Sequence, residues 1–214
     1  MDPVSDDQLS PRARRQQKLL IDISDTAIRL FIAQGFHETT MDQIAAAAEV
    51  SARTLYRYFP TKEDVITPAL QEGWSRYVAA FSERPGDESV IESLLVSADA
   101  AARGHAGERT RSFVRELLTS PPLRPTWLRI QTSSHDALRP HLARRLHLDA
   151  ESVQARVVAA CVGEANRIAV ESAAKMPPEQ FVSVLRDCLE ALGPMLHPPA
   201  RGPGAAPDVV ALEA

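Results

Sequence analysis

The 214-residue chain has only two cysteines, Cys161 and Cys188, and no Cys-x-x-Cys pair. That excludes a disulfide framework and a cysteine-based zinc site as the organiser of the fold, and leaves two free thiols in a reducing compartment. Aromatics make up 5% of the residues, and runs of Val, Ile and Thr of strand length are few, which removes a sheet as the main architecture. No stretch reads as a signal peptide or a membrane span, so a cytoplasmic location is expected. Gly-x-Ser-x-Gly, Gly-x-Gly-x-x-Gly, a phosphate loop and paired His and Glu at zinc spacing are all missing, which speaks against an enzyme and against a bound cofactor. The net charge is -4, a balance that ordinarily argues against nucleic acid, because phosphate neutralisation supplies most of that affinity.

What is present is a hydrophobic fraction of 44%, enough for a real core, in a middle rich in Ala, Leu, Arg and Glu. The reading is all-α, with an N-terminal three-helix domain joined by a long helix to a larger helical domain. Residues 1–11 lack periodicity and are expected to be a loose arm. Residues 12–66 form the first domain, 67–197 the second, and 198–214, with their Pro, Gly and Ala, a disordered tail. Helix one is expected from about Gln16 to Gln34, ending at Gly35 in the C′ position.

Between Thr39 and Lys62 the sequence TTMDQIAAAAEVSARTLYRYFPTK departs from the chain average. Thr40, with Gln43 three residues on, has the form of a capping box ahead of a short helix carrying Ile44, Ala45 and Ala48. Glu49 and Val50 make a turn, and Ser51 is the natural N-cap of a second helix, Ala52 to Phe59. At about 100° per residue Ala52, Leu55 and Phe59 face one way, while Arg53, Thr54, Tyr56 and Arg57 fan across the other. From Val50 to Lys62 there are three cations and no carboxylate. Arginines one helical turn apart repel, and a polyanion relieves that cost.

The run from Ala27 through Lys62 resembles the DNA-binding domain of TetR-family transcriptional regulators. The shared positions are Leu30-Phe31, Gly35, Thr40, Ile44-Ala45, Val50-Ser51, Thr54-Leu55-Tyr56, Tyr58-Phe59 and Lys62. Glu49 departs from it, since such sequences often carry Gly in the turn, where a left-handed conformation costs another residue about 1 kcal/mol. Within this helix-turn-helix, Arg53 suits base readout, because a guanidinium grips a guanine edge bidentately. Arg57 reads or screens, Thr54 serves either role, and Thr40, Ser51, Tyr56, Tyr58 and Lys62 are assigned to phosphates, with a core position beside Phe59 the alternative for Tyr58. For Lys62 the resemblance implies a backbone contact.

Arg12, Arg14, Arg15 and Lys18 follow one another without an acid. They read either as an arm for phosphates or a minor groove, or as a solvated helix start. Thr61 is expected to cap a long fourth helix running to about Ser82. Further helices are expected at about Glu88 to Arg103, Gly107 to Thr119 and Arg124 to Leu146, then from an Asp149 cap to about Lys175, and finally around Phe181 to Leu192. His135, His141 and His147 stand six residues apart, turn about 240° per step, and so do not share a face for a metal. Trp127, Gln131 and His135 do share one, and with Asn166 they are candidates for lining a ligand cavity, an ordinary satisfied core being the alternative. The resemblance implies that the last two helices pair with their copies in a homodimer, through Val157, Cys161, Phe181, Leu185, Cys188 and Leu189; a core face within one subunit has the same pattern.

The function expected is a dimeric repressor that binds a palindromic operator in double-stranded DNA and is released by a small, hydrophobic effector. A regulator without an effector, an activator, and a helical enzyme or adaptor using the motif as scaffold are the alternatives.

Overall fold

The structure is a computed structural model in which residues 10–103, 107–176 and 180–197 are described. All regular elements among them are helical: α1 Pro11–Gln34, α2 Met41–Ala47, α3 Ala52–Tyr58, α4 Thr67–Ser82, α5 Val90–Arg103, α6 Gly107–Thr119, α7 Leu123–Leu146, α8 Val153–Ala173 and α9 Gln180–Ala191. The expected all-α architecture is the one observed. Most of the expected N-terminal arm, the expected tail, and the breakers Pro177-Pro178 and Gly104-His105-Ala106 lie outside the described residues.

Three helix starts differ from expectation, each for a local reason. Helix α1 begins at Pro11 rather than near Gln16, because the Ser10 hydroxyl accepts from Ala13 N at 3.2 Å and Pro11 has no N–H to satisfy in the first turn. The stretch from Thr61 is not α-helical throughout. Thr61 Oγ1 accepts from Asp64 N and donates to its carboxylate, opening a 3-10 turn, Glu63–Ile66. Pro68 cannot donate into an α ladder, so α4 proper begins at Thr67 with the proline in its first turn. Helix α8 is capped by Ser152, whose hydroxyl accepts from Ala155 N at 3.1 Å; Asp149 instead holds the preceding turn by accepting from Glu151 N.

Two hydrophobic cores result. The first gathers Ile23, Ala27 and Phe31 of α1, Ile44 of α2, Leu55 of α3, Phe59, Val65 and Ile66, together with Phe113 and Leu117 of α6 and Leu123 and Trp127 of α7. The second holds Tyr77 and Phe81 of α4, Leu94 and Leu95 of α5, Leu138 and Leu142 of α7, Val158 and Val162 of α8, and Leu185 and Leu189 of α9. Helices α4 and α7 each give one end to each core, so a tilt of either carries both. Helices α7 and α8 cross closely at Gly163, where a Cβ would stand 2.1 Å from His135 Nε2. No described helix is long and apolar enough to cross a membrane.

Candidate nucleic-acid interface

Helix α2 starts in a complete capping box: Thr40 Oγ1 accepts from Gln43 N at 3.2 Å, and Gln43 Oε1 accepts from Thr40 N at 2.8 Å. Gln34, at the end of α1, donates to Gln43 Oε1, Thr39 Oγ1 and Glu38 O, locking α1 to the start of α2. The α2–α3 turn is a Schellman closure. Val50 N donates to Ala45 O at 3.0 Å and Glu49 N to Ala46 O at 3.2 Å, with Glu49 at φ 56°. Glu49 therefore occupies the left-handed position that glycine fills without strain.

Helix α3 is seven residues long and too short to persist without tertiary anchors. Ser51 Oγ accepts from Thr54 N at 3.1 Å and shares a 2.8 Å hydrogen bond with Thr54 Oγ1. Leu55 is fully buried, and Phe59 closes the far end at 4% exposure. Ala52, expected on the core face, is exposed instead, since it sits in the first turn before the helix reaches the core. The opposite side presents Arg53, Tyr56 and Arg57 to solvent, with Tyr56 53% exposed. Arg57 lies 4.6 Å from the Tyr58 ring centroid and donates to its hydroxyl at 3.0 Å. Tyr58 is half-buried against the first core, and so serves packing and holds Arg57. The Thr40 and Ser51 side chains are exposed while capping their helices.

Lys62 is committed inward. Its ammonium donates to Phe36 O and Thr39 O, both at 2.7 Å, and stands 4.1 Å from the Phe36 ring centroid. Burial lowers its pKa, with Glu63 and Glu38 acting in the opposite direction. The ammonium thus braces the α1–α2 turn beneath the interface. The same turn is held from its other side by Glu116 of α6, whose Oε1 accepts from Phe36 N at 2.8 Å and from Ser120 Oγ at 2.7 Å. Nothing in the sequence marks Glu116, because its partner lies 80 positions away.

The ligand candidates Trp127, Gln131, His135 and Asn166 all lie within packing. Trp127 belongs to the first core and is 3% exposed. Gln131 is buried and accepts from Trp74 Nε1 at 2.5 Å. His135 is wedged against Gly163, its pKa lowered by burial, and Asn166 is half-buried on α8. The face that Trp127, Gln131 and His135 share on α7 is turned into packing. Tyr77 was not foreseen: it is 4% exposed, its hydroxyl has no hydrogen-bond partner among the described residues, and burial pushes its pKa up.

Leu185 and Leu189, expected at a dimer interface, are fully buried within one subunit, out of reach of a second copy. Val157 is 45% exposed, while Cys161, Phe181 and Cys188 are half-buried. Both cysteines are free thiols. Val153 at 73% and Ile168 at 41% exposure extend the apolar stripe of α8. Among the described residues no group of three or more His, Cys, Asp or Glu is placed to hold a metal ion.

Comparison with known proteins agrees with this geometry. Residues 23–67 match bacterial regulatory proteins of the tetR family, and residues 85–197 match the MftR C-terminal domain. The HTH-type transcriptional regulator TcmR of Streptomyces glaucescens is 26% identical over 206 residues, covering 91% of each chain. The repressor AlkX of a Dietzia strain, implicated in n-alkane biodegradation, superposes with a TM-score of 0.60 at 21% identity over 82% of this chain and 96% of its own. Bacillus subtilis FadR, solved with stearoyl-CoA, gives a TM-score of 0.56 at 20% identity over 83% of this chain and 99% of its own. A matched helix-turn-helix, a matched C-terminal domain and a fully helical architecture between them assign the chain to the TetR family of DNA-binding transcriptional regulators.

Proposed function

We propose that the chain is a homodimeric repressor whose two α3 helices read a palindromic operator and separate when an apolar effector binds. Residues 12–66 act as the DNA-contacting unit and 67–197 as the regulatory and dimerising one. The observation that carries the reading is the two-sided α3: Leu55 is fixed in the core while Arg53, Tyr56 and Arg57 are left to the outside. Arg53 takes a base edge, Arg57 and Tyr56 the adjoining backbone, and the hydroxyls of Thr40, Ser51 and Thr54 phosphate oxygens. So short a helix binds weakly alone, and a second copy supplies the other half-site. The dimer forms on the exposed stripe Val153, Val157 and Ile168 of α8, with Cys161 and, from α9, Phe181 and Cys188 beside it.

The effector is apolar with an oxygen acceptor. The unpaired Tyr77 hydroxyl in the second core supports this, since a buried donor without a partner is costly and a ligand oxygen satisfies it. FadR, with the same fold, was solved with stearoyl-CoA. Release requires only that the effector prefer the conformation with α3 helices wrongly spaced; a preference of about 3 kcal/mol gives a hundredfold loss of operator affinity.

Fluorescence anisotropy on DNA upstream of the protein's own gene, or on a duplex selected from a random library, tests the reading. Wild type should bind selectively against scrambled DNA, and Arg53→Ala/Arg57→Ala should lose that selectivity, each arginine contributing about 1–3 kcal/mol. Stearoyl-CoA should release wild type and act more weakly on Tyr77→Phe. Binding indifferent to both arginines would leave the motif a scaffold.

A further inference from the structure

Helix α4 carries Gly73 in its interior, where a Cβ would meet no atom within 4 Å. No close approach requires that glycine, so its effect is to weaken the helix relative to alanine. Helix α7 has a weak stretch of its own. The hydroxyl of Thr132 donates to Leu128 O at 3.1 Å, that of Ser133 to Ile130 O at 3.0 Å and that of Ser134 to Ile130 O at 2.7 Å. Hydroxyls bonded back in this way bend and slightly destabilise a helix. Pro140, inside the same helix, removes the N–H that would donate to Asp136 O. The two weak points are joined by one hydrogen bond: Trp74, adjoining Gly73, donates its indole N–H to Oε1 of Gln131, adjoining Thr132, at 2.5 Å.

That bond lies at the border of the two cores. On α4, Ala69 belongs to the first core and Tyr77 to the second; on α7, Trp127 belongs to the first and Leu138 to the second. Polar contacts tie the halves of α7 to different neighbours. Arg129 pairs with Asp64, just past the helix-turn-helix, at 3.3 Å, whereas Arg145 donates to Glu88 O and Ser93 Oγ around the start of α5. A bend at residues 131–134 therefore turns one core against the other. The Trp74 ring also meets the Tyr77 ring edge-on, with centroids 5.4 Å apart, and the Tyr77 hydroxyl has no hydrogen-bond partner among the described residues. An indole N–H is a single donor, so an acceptor oxygen that reaches this ring pair competes with Gln131 for it.

We propose that the Trp74–Gln131 hydrogen bond is a latch. Closed, it holds α4 and α7 straight and the protein competent for its operator; an effector's acceptor oxygen opens it by taking the indole N–H, and the helices then bend at Gly73 and at residues 132–134. The proposal rests on the repressor reading above, and its test separates the two. Operator affinity and residue-level amide exchange are measured for wild type, Gln131→Leu and Trp74→Phe, each alone and with stearoyl-CoA. Either substitution removes the bond and keeps an apolar or aromatic side chain in place, and circular dichroism checks the fold. Gly73→Ala and Thr132→Ala/Ser133→Ala stiffen the two helices without touching the bond.

Without ligand, Gln131→Leu and Trp74→Phe should each bind the operator about fivefold more weakly, and the double variant no more weakly than either, since all three lack the same bond. Amide exchange should quicken at residues 131–135 relative to both ends of α7. The stiffened variants should keep ligand-free affinity and need about fivefold more stearoyl-CoA for half release. S-octadecyl-CoA, a thioether without the carbonyl oxygen, should release wild type more weakly than stearoyl-CoA does. Operator affinity and exchange unaltered in both Gln131→Leu and Trp74→Phe overturn the proposal. So does exchange that quickens uniformly along α7, which makes the bond a packing contact, and so does equal release by thioether and thioester. If stearoyl-CoA leaves wild type on the operator while both variants loosen locally, the effector reading falls and the latch stands. If wild type binds no duplex from a random library, the DNA-binding reading falls, and the exchange result alone decides the latch.

Discussion

Helices α3 and α9 are both short and amphipathic, yet only one of them declares its role. On α3 the two sides differ in chemical kind, with Leu55 inward and Arg53, Tyr56 and Arg57 outward. On α9 the apolar face is wide enough for two uses: Leu185 and Leu189 are buried, and Phe181, Val184 and Cys188 line the neighbouring flank half-buried, with Ser183, Asp187 and Glu190 exposed opposite. A helical period sorts polar from apolar, and so resolves the first case. It cannot sort one apolar face from another, and the choice between core and partner is left to packing.

The largest test of this contrast lies in α9. Leu185→Ala should cost about 2–5 kcal/mol in urea unfolding. Val157→Asp, on the exposed stripe of α8, should instead leave the circular dichroism spectrum intact and give monomers by sedimentation equilibrium. A stable Leu185→Ala, or a dimeric Val157→Asp, would reverse the assignment of faces.

Next in size is Lys62, which the sequence places on a phosphate and the structure places on Phe36 O and Thr39 O. Lys62→Met should lower stability by about 1.5–3 kcal/mol, as for hydrogen bonds to a charged group, with the salt dependence of operator binding kept. A slope reduced by about 0.9 with unchanged stability would restore the phosphate role. Glu116→Ala, which frees Phe36 N on the same turn, should cost about 1–2 kcal/mol. Amide exchange at Phe36 should quicken relative to α3, and equal rates would mean that α6 does not hold this turn.

The smallest expected effect is a gain. Glu49→Gly relieves the left-handed residue of the α2–α3 turn and should stabilise by up to about 1 kcal/mol, with operator selectivity unchanged. A loss of stability would show that the Glu49 side chain offsets its backbone strain.

The sequence by itself determined the class of the fold, the family of its N-terminal domain, and which short helix leaves its arginines exposed. Those are written in short-range signals: the Thr40–Gln43 capping box, the Ser51 cap, and the separation of Leu55 from Arg53 and Arg57 over little more than one helical turn. The earlier start of α1 was legible as well, in Ser10-Pro11, but charged residues at 12–18 hid it from a reading based on apolar periodicity. What only the tertiary structure decided concerns groups whose partners are distant in sequence. Lys62 turned inward because two carbonyls of the α1–α2 turn offered its ammonium hydrogen bonds that sequence spacing cannot reveal. Trp127 and Gln131 were drawn into packing against α1 and α4, and Leu185 and Leu189 into a core shared with α5 and α8. Hydrogen bonds and buried area reward whichever face the fold brings into contact, and local periodicity carries no record of that choice.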